Sequence, residues 1–292
     1  QAIEAAAAAG CRVVIPRINL IDGQRRTTWL IDLAILLQNE TTLELDNCHI
    51  KLSDHCRDNF MRSANCGMGM ADIQPMQNIH ICGIGHAVLE GADRPRATGD
   101  SGKTLGAKTY GTDTGVAGES QQGDWRNIGI LLAFVEHFRI ENITVKDSHC
   151  WAISLERCAH GTLRDIDFSS SGDKTIDGTR QTILNQDGID LRMGCHEILI
   201  DTSPGDLQCK AAVKIGDHSY GGGIAPLGDT SRIIVTNVTS KSLHTILIGG
   251  SLSDSILTNL IRHGSPGDAV TIAAGPESIR DVTITNVHVP GK

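Results

Sequence analysis

The sequence predicts an all-β fold built as a parallel β-helix, a solenoid of stacked coils, with a short helix capping its N-terminal end. Three observations carry this prediction. Strand-like phrases rich in Ile, Val, Thr and Asn recur along most of the chain at a solenoid-like period. Asn and Gly punctuate them at corner positions, where left-handed backbone angles are tolerated. Aromatic residues make up only 3% of the 292 residues while Gly contributes 32, a composition suited to short stacked strands rather than to a ring-filled globular core.

The elements follow in order. AIEAAAAA at 2–9 reads as a short helix ending at Gly10. CRVVIP follows as a strand, so the helix stands where it could cover the open end of the stack. One family of strands then recurs as NIHICGIG from 78, FRIENITVKD from 138, GTLRDIDF from 161, HEILID from 196, SRIIVTNVTS from 231, SDSILTNLI from 253 and SIRDVTITNVHV from 278. Asn142 to Asp165 is 23 residues, Asn237 to Asn259 is 22 and Asn259 to Asn286 is 27, which sets one coil. Asn side chains stacked at such a corner can bond to one another along the axis.

A second family lies between these strands. Its expected inward pairs are Ile130/Leu132, Ile153/Leu155, Ile189/Leu191, Ala211/Val213, Ile246/Ile248 and Val270/Ile272. That register sets Trp151, Asp187, Cys209, His244 and Asp268 in one column. It sets Asp190 in an outward column with Ser154 and Thr271, and Glu156 beside Arg192. Parallel strands stand about 4.8 Å apart, so such columns form one wall of adjacent side chains. Within ILNQDGIDLRMG at 183–194, the alternation of Ile189, Leu191 and Met193 predicts a strand with one buried side and one wet, acidic side.

Residues 93–124, 169–182 and 216–230 interrupt the pattern, and long loops in a solenoid usually serve as functional walls or lids. No linker composition appears, so residues 1–292 read as one domain. The net charge of −8 argues against nucleic acid and anionic membranes as partners. No apolar run is long enough to span a membrane. The chain begins at Gln1 rather than Met, so a preceding segment is expected, and a signal peptide could have been part of it. Nine Cys without a CxxC pair disfavour zinc-ribbon and redox motifs. Several of them read as small buried hydrophobes, and Cys56 and Cys66 could pair. No His, Asp or Glu group shows metal-ligand spacing, so neither a metal nor another cofactor is expected. SYGGGIAPLG has three consecutive Gly but no following Lys-Ser/Thr, which excludes a phosphate loop.

NQDGIDL at 185–191 resembles the NTDG motif of the polygalacturonase family of glycoside hydrolases. GDWRNIGIL from 123, DSHCWAISLERC from 147 and LNQDGIDLRMGCHEILI from 184 extend the likeness to polygalacturonase-like proteins of polysaccharide-degrading bacteria. The resemblance implies a right-handed parallel β-helix, a secreted or periplasmic location and a polysaccharide or oligosaccharide substrate. In that family a GDD acid pair follows one coil after the NTDG Asp, and a GHG histidine and an RIK basic pair come later. By the motif, Asp187 matches the first Asp and His244 the histidine. Gln208 and Cys209 fall where the acid pair should be, and Thr271 and Ala273 where the basic pair should be. Inverting hydrolysis needs two carboxyls, so a hydrolase would have to recruit others, with Asp190, Glu156, Asp124 and Asp206 available.

The resemblance therefore implies Asp187, Asp190 and His244 as catalytic candidates. Asp124, Trp125, Arg126, Trp151, Glu156 and Arg192 are the candidates for binding substrate, with Trp125 and Trp151 able to stack on sugar rings. Structural readings stand beside these. Asp187-Gly188 could shape a corner, and Asp190, Arg192 and Glu156 could form a cross-strand ion network. His244 could be a ladder residue and Trp151 a buried ring. Two other functions fit the same fold: a polysaccharide lyase using Lys210, Lys214 or Arg192, and a non-catalytic glycan-binding or structural β-helix.

Overall fold

The computed structural model describes residues 1–56, 58–66, 73–94, 128–148, 151–170, 173–182, 187–202, 205–207, 210–217, 229–264, 267–274 and 278–290. Among these residues two large parallel sheets run the length of the molecule. The long sheet is ordered Arg12–Pro16, Thr42–Asp46, Met76–Ile84, Val135–Lys146, Ala159–Ser170, His196–Asp201, Ser231–Thr236, Leu252–Arg262, and Ile279–His288 joins the last of these. The wall sheet is ordered Ile35–Leu37, Met61–Ser63, Ile130–Ala133, Ile153–Glu156, Ile189–Arg192, Ala211–Asp217, His244–Ile248 and Asp268–Ile272. Spatial order follows chain order in both sheets, so successive coils stack as a parallel β-helix.

The core lies between the sheets and is made of rungs. Leu43, Ile81, Ile140, Leu163, Ile200, Val235 and Leu257 stack in register from one sheet. Ile130, Ile153, Ile189, Val213 and Ile246 stack in register from the other. All are fully buried in one continuous cluster, and each such side chain contributes about 1.5–3 kcal/mol of transfer free energy. Branched side chains suit this setting because the pleat restricts χ1 little further. Gly161 keeps one rung open: a methyl group there would lie 1.9 Å from Cζ of Phe138 on the neighbouring coil.

The corner residues behave as the Asn periodicity implies. Asn142, Asp165, Asn237, Asn259 and Asn286 all have φ between 50° and 59°. Asn286 Nδ2 donates to Asn259 Oδ1 at 3.1 Å, and Asn259 Nδ2 donates to Asn237 Oδ1 at 3.2 Å. The short helix Ala2–Ala8 packs on Arg12–Pro16 through a half-buried face of Ile3, Ala6 and Ala7.

Several expectations are corrected. The pair facing inward beside Ile189/Leu191 is Val213/Ile215, not Ala211/Val213. Alternation along AAVKI fixes which side chains point inward but leaves a two-residue slip undecided, because both frames are apolar. Part of 169–182 is ordered as strands: Ala159–Ser170 runs to its start, and Asp173–Ile176 pairs antiparallel with Thr179–Thr182 around Asp177-Gly178. Cys56 and Cys66 are not joined in a disulfide, and both thiols are buried. Cys48, Cys158 and Cys195 do fill the core as small hydrophobes. The loop SYGGGIAPLG and residues 95–124 lie outside the described residues.

One surface ladder carries a stability prediction. Glu90 stands in register between Lys51 and Lys146. Its carboxylate lies 3.3 Å from Lys51, 3.4 Å from Lys146 and 2.8 Å from His49 Nε2. Burial alone would raise its pKa, but these cations outweigh burial and hold it below the usual carboxylate range. A depressed folded-state pKa stabilises the fold above the unfolded value and loses that stabilisation as pH falls through the folded value. Glu90→Gln is expected to cost about 1–3 kcal/mol at neutral pH. In thermal melts its deficit relative to wild type should shrink below about pH 4.

Candidate functional site

The outward face of the wall sheet gathers most of the sequence-marked residues that the structure describes. Asp190 stands between Ser154 on one neighbouring strand and Lys214 on the other, and the same column continues to Leu247 and Thr271. The expected register would place Ala212 beside Asp190, so Lys214 is a neighbour that the slip concealed. Glu156 and Arg192 are in register and joined by a 2.5 Å ion pair. Between Leu191 and Arg192 the register with the next strand shifts, so Arg192 faces Asp217 rather than Gly216.

This face is dry where a wet acidic side was expected. Asp187, Asp190 and Arg192 are 0% exposed and Glu156 is 4% exposed. Trp151 is also fully buried, within a small apolar cluster of Cys66, Ile128, Leu131 and Ala133 outside the main core. The Arg192 guanidinium carbon lies 4.9 Å from its ring centroid and Lys214 Nζ lies 5.3 Å from it. Two cations therefore stand over the ring that was expected to meet a sugar. Burial raises the Glu156 carboxyl above its usual range, and the pull of Arg192 and Arg157 does not cancel the rise.

Asp187 sits just before Ile189–Arg192, and its Oδ1 accepts from the Ala211 backbone N–H at 2.9 Å. The backbone carbonyl of Asp187 accepts from Ala152 N at 2.8 Å, so this residue ties together the entries of three wall strands. Ala211 is in turn in register with His244. The corrected register moves the acid-pair positions onto Lys210 and Ala211, and neither is acidic. Gln208 and Cys209 lie outside the described residues, as do Asp124, Trp125 and Arg126.

The far end of the wall is open. His244 retains 16% side-chain exposure and Asp268 retains 65%. The Thr271 hydroxyl donates to Asp268 Oδ2 at 3.2 Å, and His244 Nδ1 lies 2.8 Å from Thr271 Oγ1, so the imidazole N–H can complete the chain. The wall thus runs from a closed, charged section at Asp190 to an exposed polar section at His244.

No protein-family model matches the sequence, and no curated protein matches it. Solved structures do. An exopolygalacturonase from Thermotoga maritima superposes with a TM-score of 0.58 at 14% identity, over 98% of this chain and 70% of that one. This chain shares that fold, a right-handed parallel β-helix. This chain also superposes on the tailspike protein of E. coli bacteriophage HK620 in complex with a pentasaccharide, with a TM-score of 0.56 at 14% identity over 99% of this chain and 53% of that one. A 1,3-α-1,4-β-D-galactose-4-sulfate-3,6-anhydro-D-galactose-2-sulfate 4 galactohydrolase gives a TM-score of 0.54 at 13% identity, over 89% of this chain and 52% of that one. This chain spans about half the length of the tailspike and the galactohydrolase.

Proposed function

We propose that this β-helix is a carbohydrate-active enzyme that hydrolyses glycosidic bonds of a polysaccharide at the wall sheet, outside the cytoplasm. The carrying observation is the convergence of Asp190, Glu156, Arg192, Lys214 and Trp151 on adjacent strands of one face. The three solved structures, two of them described as sugar hydrolases and one bound to a pentasaccharide, support the substrate class.

Asp190 and Glu156 are diagonal neighbours, one strand and two residues apart. Strand geometry separates such backbone positions by roughly 8 Å, a spacing from which two side chains can reach the ~6.5–9.5 Å between carboxyls that an inverting pair requires. Glu156, with its raised carboxyl, is assigned as the acid that protonates the leaving oxygen. Asp190 is assigned as the base that takes a proton from the attacking water. Asp187 positions the wall through the Ala211 N–H, and His244 meets a sugar hydroxyl at the open end. Loss of the family's basic pair argues against a uronate bound at Thr271 and Ala273. The candidate sugar-binding roles of Asp124, Trp125 and Arg126 remain part of the proposal.

Lys214 beside Asp190 favours a second reading, a lyase in which Lys214 removes a proton next to a uronate carboxylate. Plant and algal polysaccharides incubated with the wild-type protein separate the two. New reducing ends without unsaturation support the hydrolase, and unsaturated products support the lyase. Binding of glycans without any product would overturn both.

A further inference from the structure

A second group of side chains lies on the outer face of the long sheet, away from the wall. His137, His160, Glu197 and Arg232 occupy one column, each with φ between 53° and 56°, and the left-handed backbone sets one such residue on each coil. His160 Nδ1 lies 2.9 Å from Glu197 Oε2, and His196 Nδ1 lies 3.4 Å from the same oxygen. The three ligand atoms lie within 4.8 Å of one another.

We propose that His160, His196 and Glu197 form a surface site for a divalent ion of the zinc class. Two imidazole nitrogens and one carboxylate oxygen are the donor set that zinc takes, at bonds of about 2.0–2.2 Å. Such bonds place ligand atoms roughly 3.4 Å apart in a tetrahedron, so the donors need only small side-chain movements. Their surroundings hold them in place. The His137 ring stacks on His160 at 4.9 Å and 14°, fixing its plane. Arg232 Nε donates to Glu197 Oε1 at 3.1 Å, orienting the carboxylate and leaving Oε2 toward the histidines. The ion selects the imidazole tautomers that carry the proton on Nε2, so that both Nδ1 lone pairs face it. Arg232 also opposes the ion: its Nη2 lies 3.4 Å from His196 Nδ1, and it brings a positive charge to the site. Because His160 and His196 belong to different coils, a bound ion would clamp neighbouring turns of the solenoid.

The test is zinc titration of the chelator-stripped protein by calorimetry near neutral pH, with a thermal melt in parallel. The expected result is one equivalent bound with micromolar affinity and a higher melting temperature. His160→Ala and Glu197→Gln should each weaken binding by at least about tenfold, while Arg232→Gln should tighten it. Circular dichroism of these exposed-site variants checks that the β-helix is intact. Failure to bind zinc, or equal binding by wild type, His160→Ala and Glu197→Gln, would overturn the proposal.

Discussion

Arg192→Ala is expected to destabilise the protein by about 3–5 kcal/mol, because it strips the buried Glu156 carboxyl of its partner and leaves a void beside Trp151. Arg192 is wholly enclosed and Glu156 nearly so, and their 2.5 Å contact spans two coils. The same change also removes the guanidinium from the Trp151 face. For a chain of this size the loss corresponds to a fall in melting temperature of roughly 10 °C. The paired replacement Glu156→Leu with Arg192→Met should recover most of it, since well-packed apolar groups replace a buried ion pair at little cost. Thermal and urea unfolding of the single and double variants measures both effects. A double variant as unstable as Arg192→Ala would show that packing, not the isolated charge, sets the cost.

Asp190→Asn is the second large effect. The replacement has nearly the same shape and keeps the strand register, but it removes a buried negative charge beside Lys214, so a thermal melt accompanies the assay to show that the fold persists. The change removes the proposed base, and turnover should fall by a factor of about 10²–10⁴. Asp187→Asn should behave differently. An amide oxygen can still accept from the Ala211 N–H, so this change is expected to leave turnover within about tenfold of wild type. Reducing-end release by the two variants on the same glycan decides between them. Equal, severe losses in both would return Asp187 to the chemistry. Full activity in Asp190→Asn would remove Asp190 from it.

Much of the coil structure was legible because it depends on local rules. Asn142, Asn237, Asn259 and Asn286 mark corners through their tolerance of left-handed angles, and alternation identifies Ile153/Leu155 and Ile189/Leu191 as inward pairs. The columns pairing Asp190 with Ser154 and Glu156 with Arg192 followed from the same alternation. Alternation could not choose between Ala211/Val213 and Val213/Ile215, so the placement of Lys214 rather than Ala212 beside Asp190 stayed hidden. The burial of Arg192 and Asp190 was not legible either, because charge in a strand ordinarily marks a solvated face. The cluster of His160, His196 and Glu197 was missed for another reason. His160 meets the other two only across coils, and Asp165 to Asn142 style spacing records the period without revealing which outward side chains touch.

The Asn column has a mechanical consequence. The hydrogen bonds between coils, backbone and Asn side chain alike, point along the solenoid axis, whereas the covalent chain runs around it. Tension applied along the axis therefore loads non-covalent contacts in series, and the weakest interface between turns yields before the rest. Tension across the axis loads the backbone itself. Under axial load the stack is thus expected to peel turn by turn from an end, with Asn237, Asn259 and Asn286 as a seam unpicked one stitch at a time.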